Sequence, residues 1–340
     1  MAFDSHTYFK KIIFLLALIW GTALCGHVIE PSFPLENPSF SLKQPIEAFI
    51  QPTASGIPLS GTFGCVRNGG KKFHEGIDLK SIQKDKKNNP IDPIFAIWPG
   101  KVVHLGTHPG SYGLYVVIEH KDFEPALYSL YAHLSKIDPR LKLGDTVAQG
   151  SKIGVMGHSS TSVIPKERAH LHFEIGVQLS NQFEHWYKRQ NFSVPNAQGT
   201  WNGLNLIGID PLDFFEGFRS GNISDLKTYL QLLPTAFTVT IPYGEKPYFI
   251  EHYPAFLTEP LPTDKKIQGW RVEFTWYGFP KRWTPLTTLK GNPKGPILDS
   301  YDENFLSQAK KRKTLTKPQK GKVRIGSTLA QIIDILFIKT

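Results

Sequence analysis

Cysteine is scarce in this chain, whose 340 residues contain only Cys25 and Cys65. Small secreted folds that rely on a framework of disulfides contain more cysteine, so that class is excluded. Cys65 lies in the apolar run FGCV, and we expect it to be a small buried side chain rather than a reactive thiol. Hydrophobic burial, not cross-linking, must therefore hold the fold together.

Long apolar runs, internal repeats and heptads are also absent. The most apolar segment, IIFLLALIWGTALC at residues 12–25, follows two lysines. Its length of about 14 residues is short for a membrane span and fits the apolar part of a signal peptide. We therefore predict a signal peptide over residues 1–25, cleaved before Gly26, and export to the periplasm or the extracellular envelope. An uncleaved N-terminal anchor is the alternative, and it would be the chain's only membrane contact.

Charged residues make up 20% of the chain and hydrophobic residues 40%. This balance leaves enough apolar material for packed cores and excludes wholesale disorder. The 29 glycines and 26 prolines indicate many turns between short elements, which favours a β-rich architecture. The length allows about two domains.

The net charge of +10 indicates a polyanionic partner. Basic residues dominate the stretch KKRKTLTKPQKGKVR, residues 310–324, which by itself would suit nucleic acid. Export separates the protein from nucleic acid, so we expect no such partner.

Three regions of different composition follow the predicted signal. Residues 26–55 are rich in proline and polar side chains, and we interpret them as an extended N-terminal arm. Short β-like runs bounded by turn residues fill 56–218, with an aromatic insertion at 177–203. Residues 235–340 form a smaller β-rich C-terminal domain of unknown role. The predicted fold is mostly β, with an antiparallel sheet in the larger domain.

Two histidines stand either side of one leucine in RAHLHFEI, residues 168–175. Side chains two residues apart on a strand point to the same face and lie about 7 Å apart. One of the two rings, His170 or His172, can therefore bind a metal while the other contacts the water or substrate that the metal holds. A single buried histidine would more simply be a hydrogen-bonded core residue.

Further metal-ligand types occur in FHEGID and YAHL. His74 and Asp78 are four residues apart, an even number that predicts one face of a strand. Imidazole and carboxylate are ordinary zinc ligands, and a catalytic zinc takes three protein ligands and a water. His133 adds a fifth group. Because no HExxH motif supplies a glutamate base, histidines would have to move the protons.

The order of these motifs resembles the lysostaphin-type (LytM-like) zinc metallopeptidases, which are peptidoglycan endopeptidases. Three motifs carry the resemblance: HEGID at 74–78, YAHL at 131–134 and HLHFE at 170–174. It covers about residues 56–178, and DPLDFF from Asp210 matches the usual closing segment. It implies that residues 56–218 are a zinc metalloendopeptidase domain cutting peptidoglycan cross-bridges or stem peptides.

The resemblance also implies a role for each of the five side chains. Zinc would be bound by His74, Asp78 and His172, and it would lower the pKa of a bound water towards roughly 7. His170 and His133 would be the catalytic pair. We favour His170 as general base and His133 as the oxyanion partner, and the opposite division stays open.

Two loops depart from the family pattern. The loop 157–170 before HLH is long and lacks interior glycines, and residues 80–93 form a lysine-rich insertion. We expect both to rim the substrate groove. Glu174 has two open interpretations, a support for the ligand His172 or a solvated strand residue.

Two other functions stay open at this point. One is a non-cleaving wall-binding regulator of other murein hydrolases, although such relatives typically lack one or more ligands. The other is an endopeptidase that acts on a glycine-rich protein. A regulatory protein partner is possible under either.

Overall fold

The computed structural model of the protein describes residues 29–70, 72–107, 110–291, 293–317 and 321–338. The predicted signal peptide lies outside these ranges, and its cleavage stays a prediction. Within them, no helix is both long and apolar enough to cross a lipid bilayer.

Most of the regular structure is β. The strands are β1 (Val66–Arg67), β2 (Lys72–Phe73), β3 (Ile77–Lys80), β4 (Pro93–Phe95), β5 (Gly100–Gly106), β6 (Leu114–His120), β7 (Leu127–Ile137), β8 (Thr146–Val147), β9 (Lys152–Met156), β10 (His170–Gln178), β11 (Leu206–Ile209), β12 (Phe237–Ile241), β13 (Gly269–Phe274), β14 (Pro280–Leu286), β15 (Ile297–Tyr301), β16 (Leu315–Thr316) and β17 (Arg324–Ile325). The helices are α1 (Pro38–Ser41), α2 (Phe183–Arg189), α3 (Pro211–Arg219), α4 (Leu226–Leu232), α5 (Tyr248–His252), α6 (Glu303–Arg312) and α7 (Ser327–Leu336).

Nine strands, β3 to β11, form one antiparallel sheet. Its central order is β11-β10-β7-β6-β5-β8, while β3 pairs with β10, and β9 joins β7 to β4. Strand β10 is bordered by β7 on one side and by β3 and β11 on the other. In this register His172 lies opposite both Asp78 and Ala132. The sheet therefore brings the HEGID, YAHL and HLH segments together.

Alternation along β10 gives the sheet one apolar and one polar face. Leu171, Phe173 and Ile175 are fully buried in the main core. The intervening side chains, His170, His172 and Glu174, share the opposite face because strand residues alternate. That polar face carries the candidate site.

A second antiparallel sheet, ordered β14-β13-β12-β15, lies in the C-terminal part of the chain. It shares one hydrophobic core with the nine-stranded sheet. At the junction the Phe73 ring lies 5.7 Å from that of Trp276 and 6.1 Å from that of Tyr277. Trp186 Nε1 also donates to Asp334 Oδ2 of helix α7 at 2.6 Å.

These observations confirm the predicted fold class, mostly β with antiparallel sheets. Cys65 differs from expectation, because it is half-buried rather than buried. It lies in the turn before β1, and its carbonyl accepts a hydrogen bond from the His74 N–H at 3.0 Å. The domain boundaries stay a prediction.

Candidate metal centre and groove

Three ligand-type atoms converge on the polar face of the sheet. His74 Nε2 lies 2.9 Å from Asp78 Oδ1 and 3.2 Å from His172 Nδ1. His172 Nδ1 and Asp78 Oδ1 are 3.0 Å apart. All three side chains are more than 90% buried, with 4 to 6% of their surface exposed. The three predicted zinc ligands are therefore brought together.

A bend, rather than one continuous strand, brings His74 towards Asp78. Strand β2 ends before His74 and β3 begins at Ile77, so the prediction that one strand carries both is wrong. The bend contains Gly76, where a Cβ would lie 2.1 Å from the Phe173 carbonyl oxygen. Glycine is needed there because the HEGID backbone lies directly against β10, with which it pairs from Ile77 onwards.

Hydrogen bonds outside the cluster fix which nitrogen of each imidazole carries a proton. His74 Nδ1 donates to the Thr62 carbonyl at 2.8 Å, so its Nε2 is left with a lone pair. His172 Nε2 donates to the Glu174 carboxylate at 2.8 Å, which leaves Nδ1 with a lone pair. Both lone pairs face Asp78 Oδ1.

This donor set fits a tetrahedral metal ion. Ligands about 2.0–2.1 Å from a tetrahedral centre are about 3.3 Å from one another, close to the observed 2.9–3.2 Å. Two bare nitrogens and a carboxylate oxygen at such distances repel unless positive charge lies among them. Among the described residues, this is the group of three that could hold a metal ion.

The pKa shifts in the metal-free cluster also indicate that positive charge belongs among the three side chains. Burial lowers the pKa of His172, but hydrogen bonds to Asp78 and Glu174 outweigh it and raise that pKa to about 10. Burial likewise raises the pKa of Asp78, yet its histidine neighbours hold it well below its usual range. Without a metal a proton on His172 supplies the missing charge, and a metal held by His74, Asp78 and His172 would displace it.

Glu174 is a support for His172, which resolves the two interpretations of this residue. It is fully buried, so it is no solvated strand residue. Its Oε1 accepts from Tyr112 Oη at 2.7 Å and from His172, and its Oε2 accepts from Tyr128 Oη at 3.0 Å. Burial raises the pKa of Glu174, but the charge and hydrogen bond of His172 and the hydrogen bonds from Tyr112 and Tyr128 together outweigh it, and the pKa is lowered.

His170 and His133 lie beside the three ligand atoms. His170 Nε2 is 3.6 Å from Asp78 Oδ1, and its Nδ1 donates to the Arg168 carbonyl at 2.7 Å. The rings of His170 and His133 are 4.9 Å apart, edge to face. His133 Nδ1 donates to the Ser159 carbonyl at 2.8 Å. Each ring therefore has Nε2 as its bare nitrogen.

The backbone of His133 is unusual for a strand residue. Its φ is +62°, in the left-handed region, and the β6–β7 pairing shifts register between Leu114 and Val116, opposite this segment. The His133 N–H bonds the Tyr112 carbonyl at 2.9 Å. Such irregularities re-aim a side chain. His133 thus has a strained backbone, and its side chain points in a direction that regular strand alternation would not give.

Both of these histidines are neutral at pH 7. Burial, together with the neighbouring His170 and His172, lowers the pKa of His133 to about 3. Burial also lowers the pKa of His170, against the opposing effect of Asp78. Their bare nitrogens are consequently proton acceptors at rest.

The cluster lies in a groove of about 800 Å³. The loop before HLH lines it through Ser160, Ser162, Val163, Ile164 and Arg168, as predicted. The lysine-rich insertion does not line it, so that prediction is wrong. The insertion instead packs behind the loop, where Lys166 Nζ reaches the Lys87 carbonyl at 3.5 Å.

Sequence reasoning missed the two tyrosines that hold Glu174 and the groove residues from the C-terminal part. Tyr112 and Tyr128 lie on other segments, and no spacing pattern connects them to Glu174. The C-terminal groove residues are Tyr277, Arg312, Thr328, Gln331 and Ile332.

Comparisons with known proteins bear on the same region. Residues 72–183 match the model of Peptidase family M23. Lipoprotein NlpD from Yersinia enterocolitica is 37% identical over 83 residues, which are 24% of this chain and 75% of that protein.

Solved structures are also similar over part of the chain. The catalytic domain of the antimicrobial peptidase lysostaphin from Staphylococcus simulans is 22% identical, with a TM-score of 0.31, over 46% of this chain and 89% of that one. A zinc-containing peptidase from Vibrio cholerae is 24% identical, with a TM-score of 0.29, over 44% of this chain. The match spans only 37% of the Vibrio protein's own length.

The matched residues 72–183 contain the three ligand-type side chains and both neutral histidines. Together with 37% identity over three quarters of NlpD, this match shows that the chain belongs to peptidase family M23.

Proposed function

We propose that this protein is an exported zinc metalloendopeptidase that hydrolyses peptide bonds in bacterial peptidoglycan cross-bridges or stem peptides. The observation that carries the proposal is one arrangement in an open groove. Three ligand-type atoms face one another, and two neutral histidines stand beside them. A site needed only for stability has no use for unpaired proton acceptors.

His74, Asp78 and His172 would hold the zinc. When bound, zinc supplies Lewis acidity, which polarises the scissile carbonyl and acidifies water. Glu174 orients His172 through the Nε2–H bond, and the Thr62 carbonyl does the same for His74.

The two other histidines move protons. His170 and His133 each hold Nδ1–H on a backbone carbonyl, so each presents Nε2 to the groove. A water attacking the scissile carbonyl loses its proton to one of these nitrogens. The imidazolium that forms can then donate to the leaving amine nitrogen, which restores the neutral ring. Both rings start as acceptors, so either can be the base.

Peptidoglycan is the substrate that best fits the remaining properties. The net charge of +10 suits a polyanionic envelope, and attraction over about 8 Å at physiological salt aids encounter. The similar proteins include a lipoprotein and an antimicrobial peptidase. The predicted signal peptide supplies the route to the envelope.

The test is a fragment profile of purified sacculi by chromatography and mass spectrometry. The zinc-loaded protein should release new cross-bridge or stem-peptide fragments. His172→Ala should lose both zinc and activity. His133→Ala and His170→Ala should keep zinc and lose about 10²–10⁴-fold in rate. His185→Ala, an exposed histidine on α2, is the matched control and should behave as the parent.

The same experiment separates the rival functions. A folded, zinc-loaded parent that releases no fragment would overturn cleavage of peptidoglycan and favour a wall-binding regulator. Cleavage of a glycine-rich protein with intact sacculi would favour a protein substrate.

A further inference from the structure

One wall of the groove comes from outside the residues that match the peptidase family. Arg312 ends helix α6, far along the chain from residues 72–183, yet it lines the groove that contains His74, Asp78 and His172. The family match does not account for this side chain.

The backbone of Arg312 is held firmly. Thr328 Oγ1 donates to the Arg312 carbonyl at 2.7 Å, and Lys313 closes the helix in a left-handed conformation with φ +64°. The guanidinium carbon lies 4.0 Å from the centre of the Phe73 ring. Phe73 immediately precedes the ligand-type residue His74. Arg312 is therefore fixed beside the start of HEGID.

This guanidinium has few partners in the described part of the chain. Its Nε is buried without a hydrogen bond, and its contacts there are the Phe73 ring and a charge interaction with Glu75. Burial lowers the pKa of Arg312, and the charge of the Glu75 carboxyl opposes that shift. Arg67, on β1, lines the same groove and also has a buried Nε without a partner.

Other arginines of the protein are paired differently. Arg219 and Arg282 also have a buried Nε without a hydrogen bond, but each forms an ion pair with a neighbouring carboxylate, Glu216 and Glu273 respectively. Arg312 and Arg67 are half-buried, and a buried Nε–H without an acceptor is destabilising unless another role requires it. Two such side chains in one groove indicate that an anion binds between them.

We propose that Arg312, with Arg67 beside it, binds a free carboxylate of the substrate peptide close to the scissile bond. The protein would then select direct cross-links between carboxylate-bearing stem peptides over neutral glycine bridges. This inference rests on the proposed endopeptidase function and names its substrate class.

The chemistry favours a carboxylate over a polyphosphate. A guanidinium matches a carboxylate with two parallel N–H···O bonds. The carboxyl group of Glu75 lines the same groove, so a chain of several anionic groups would meet repulsion. A peptide with one carboxylate near the scissile amide avoids that repulsion.

The test uses three matched synthetic cross-links. In each cross-link the side-chain amine of a diamino acid forms the scissile amide. Next to that nitrogen the first substrate carries a free carboxylate, the second carries an amidated carboxylate, and the third, which contains lysine, carries no carboxylate. The zinc-loaded parent should cleave the first with a kcat/KM about 10- to 100-fold above the others. Arg312→Met, which keeps the contact with Phe73, should remove that preference and leave the amidated substrate unchanged.

Binding is measured in parallel, with ketomethylene analogues of the three cross-links and calorimetry. The free carboxylate should bind about 10- to 100-fold more tightly to the parent, and equally to Arg312→Met. Equal affinity of the parent for all three analogues would overturn the inference even if no cross-link is cleaved. So would an Arg312→Met variant that weakens all three alike, because the arginine would then be structural. A parent that shows the binding preference without cleavage refutes only the endopeptidase function.

Discussion

Glu174→Gln should weaken zinc binding without disturbing the fold. The Glu174 carboxylate is fully buried and holds the Nε2–H of His172 at 2.8 Å, which leaves Nδ1 bare towards the metal position. Glutamine has the same shape and can still accept at its amide oxygen. The substitution therefore removes charge rather than volume.

The size of the effect follows from the hydrogen bond that changes. A bond to a charged partner contributes about 1.5–3 kcal/mol, against about 0.5–1.5 kcal/mol for a neutral one. Replacing one by the other weakens the orientation of His172 by about 1–1.5 kcal/mol. The zinc Kd should consequently rise about tenfold, at the lower end of the 10- to 100-fold typical of groups that support metal ligands.

The assay is competition for zinc against a chromophoric chelator at fixed pH, with thermal unfolding as a check of the fold. Asp92→Asn is the matched control, since Asp92 is only 2% exposed and accepts from Ser81 Oγ at 2.7 Å, away from the groove. This control should lower thermal stability and leave the zinc Kd unchanged. A Kd for Glu174→Gln within twofold of the parent would refute the reasoning. An equal loss of zinc affinity in Asp92→Asn would show that general destabilisation causes the effect.

Two further predictions concern the sheet around the site. Burial lowers the pKa of His120 from 6.5 to about 4, so the unfolded chain binds a proton that the fold excludes. The free energy of unfolding should therefore fall by up to about 3 kcal/mol as the pH falls from 6.5 to 4. Denaturant unfolding of the parent and of His120→Gln at several pH values should show this loss in the parent alone. An equal pH dependence of the two free energies would contradict the prediction. At Gly113 (φ +62°) a Cβ would lie 2.2 Å from the Ser159 oxygen that holds His133. Gly113→Ala should therefore lower kcat more than tenfold while zinc is retained. Gly150→Ala is the control, because Gly150 has a φ of +75° but open space around it, and it should not lower kcat. Equal kcat values for the two variants would refute this prediction.

Strand alternation carried most of what the sequence could predict about the fold and the site. The apolar residues Leu171 and Phe173 alternate with His170 and His172, and the structure buries the first pair while the second faces the groove. A period of two is a local property, so a single sequence suffices to detect it. The order of the motifs then indicated the remaining partners.

Contacts that depend on backbone irregularity could not be predicted in this way. The even spacing of His74 and Asp78 predicted that their side chains lie together, and they do, but a bend at Gly76 rather than a continuous strand brings them there. His133 likewise departs from strand geometry with a φ of +62°. Periodicity assumes regular dihedral angles, and both positions violate that assumption.

Partners from distant segments form the other limit. Tyr112 and Tyr128 satisfy Glu174, yet neither stands in a pattern with it. Arg312 belongs to the stretch 310–324 in which basic residues dominate, and the structure places it at the end of a helix that borders the groove. Nothing local distinguishes such an arginine from its lysine neighbours.

The charge balance of the three ligand-type residues and Glu174 would suit a divalent cation. Asp78 and Glu174 are both buried, and the lowered pKa of each carboxyl keeps it ionised. His74 and His172 coordinate as neutral rings, so the ligands and their support carry two negative charges. One proton on His172 neutralises half of that charge, whereas a divalent ion neutralises all of it. Metal binding should therefore stabilise the fold as well as the chemistry, and chelation should lower the melting temperature of the parent more than that of His172→Ala.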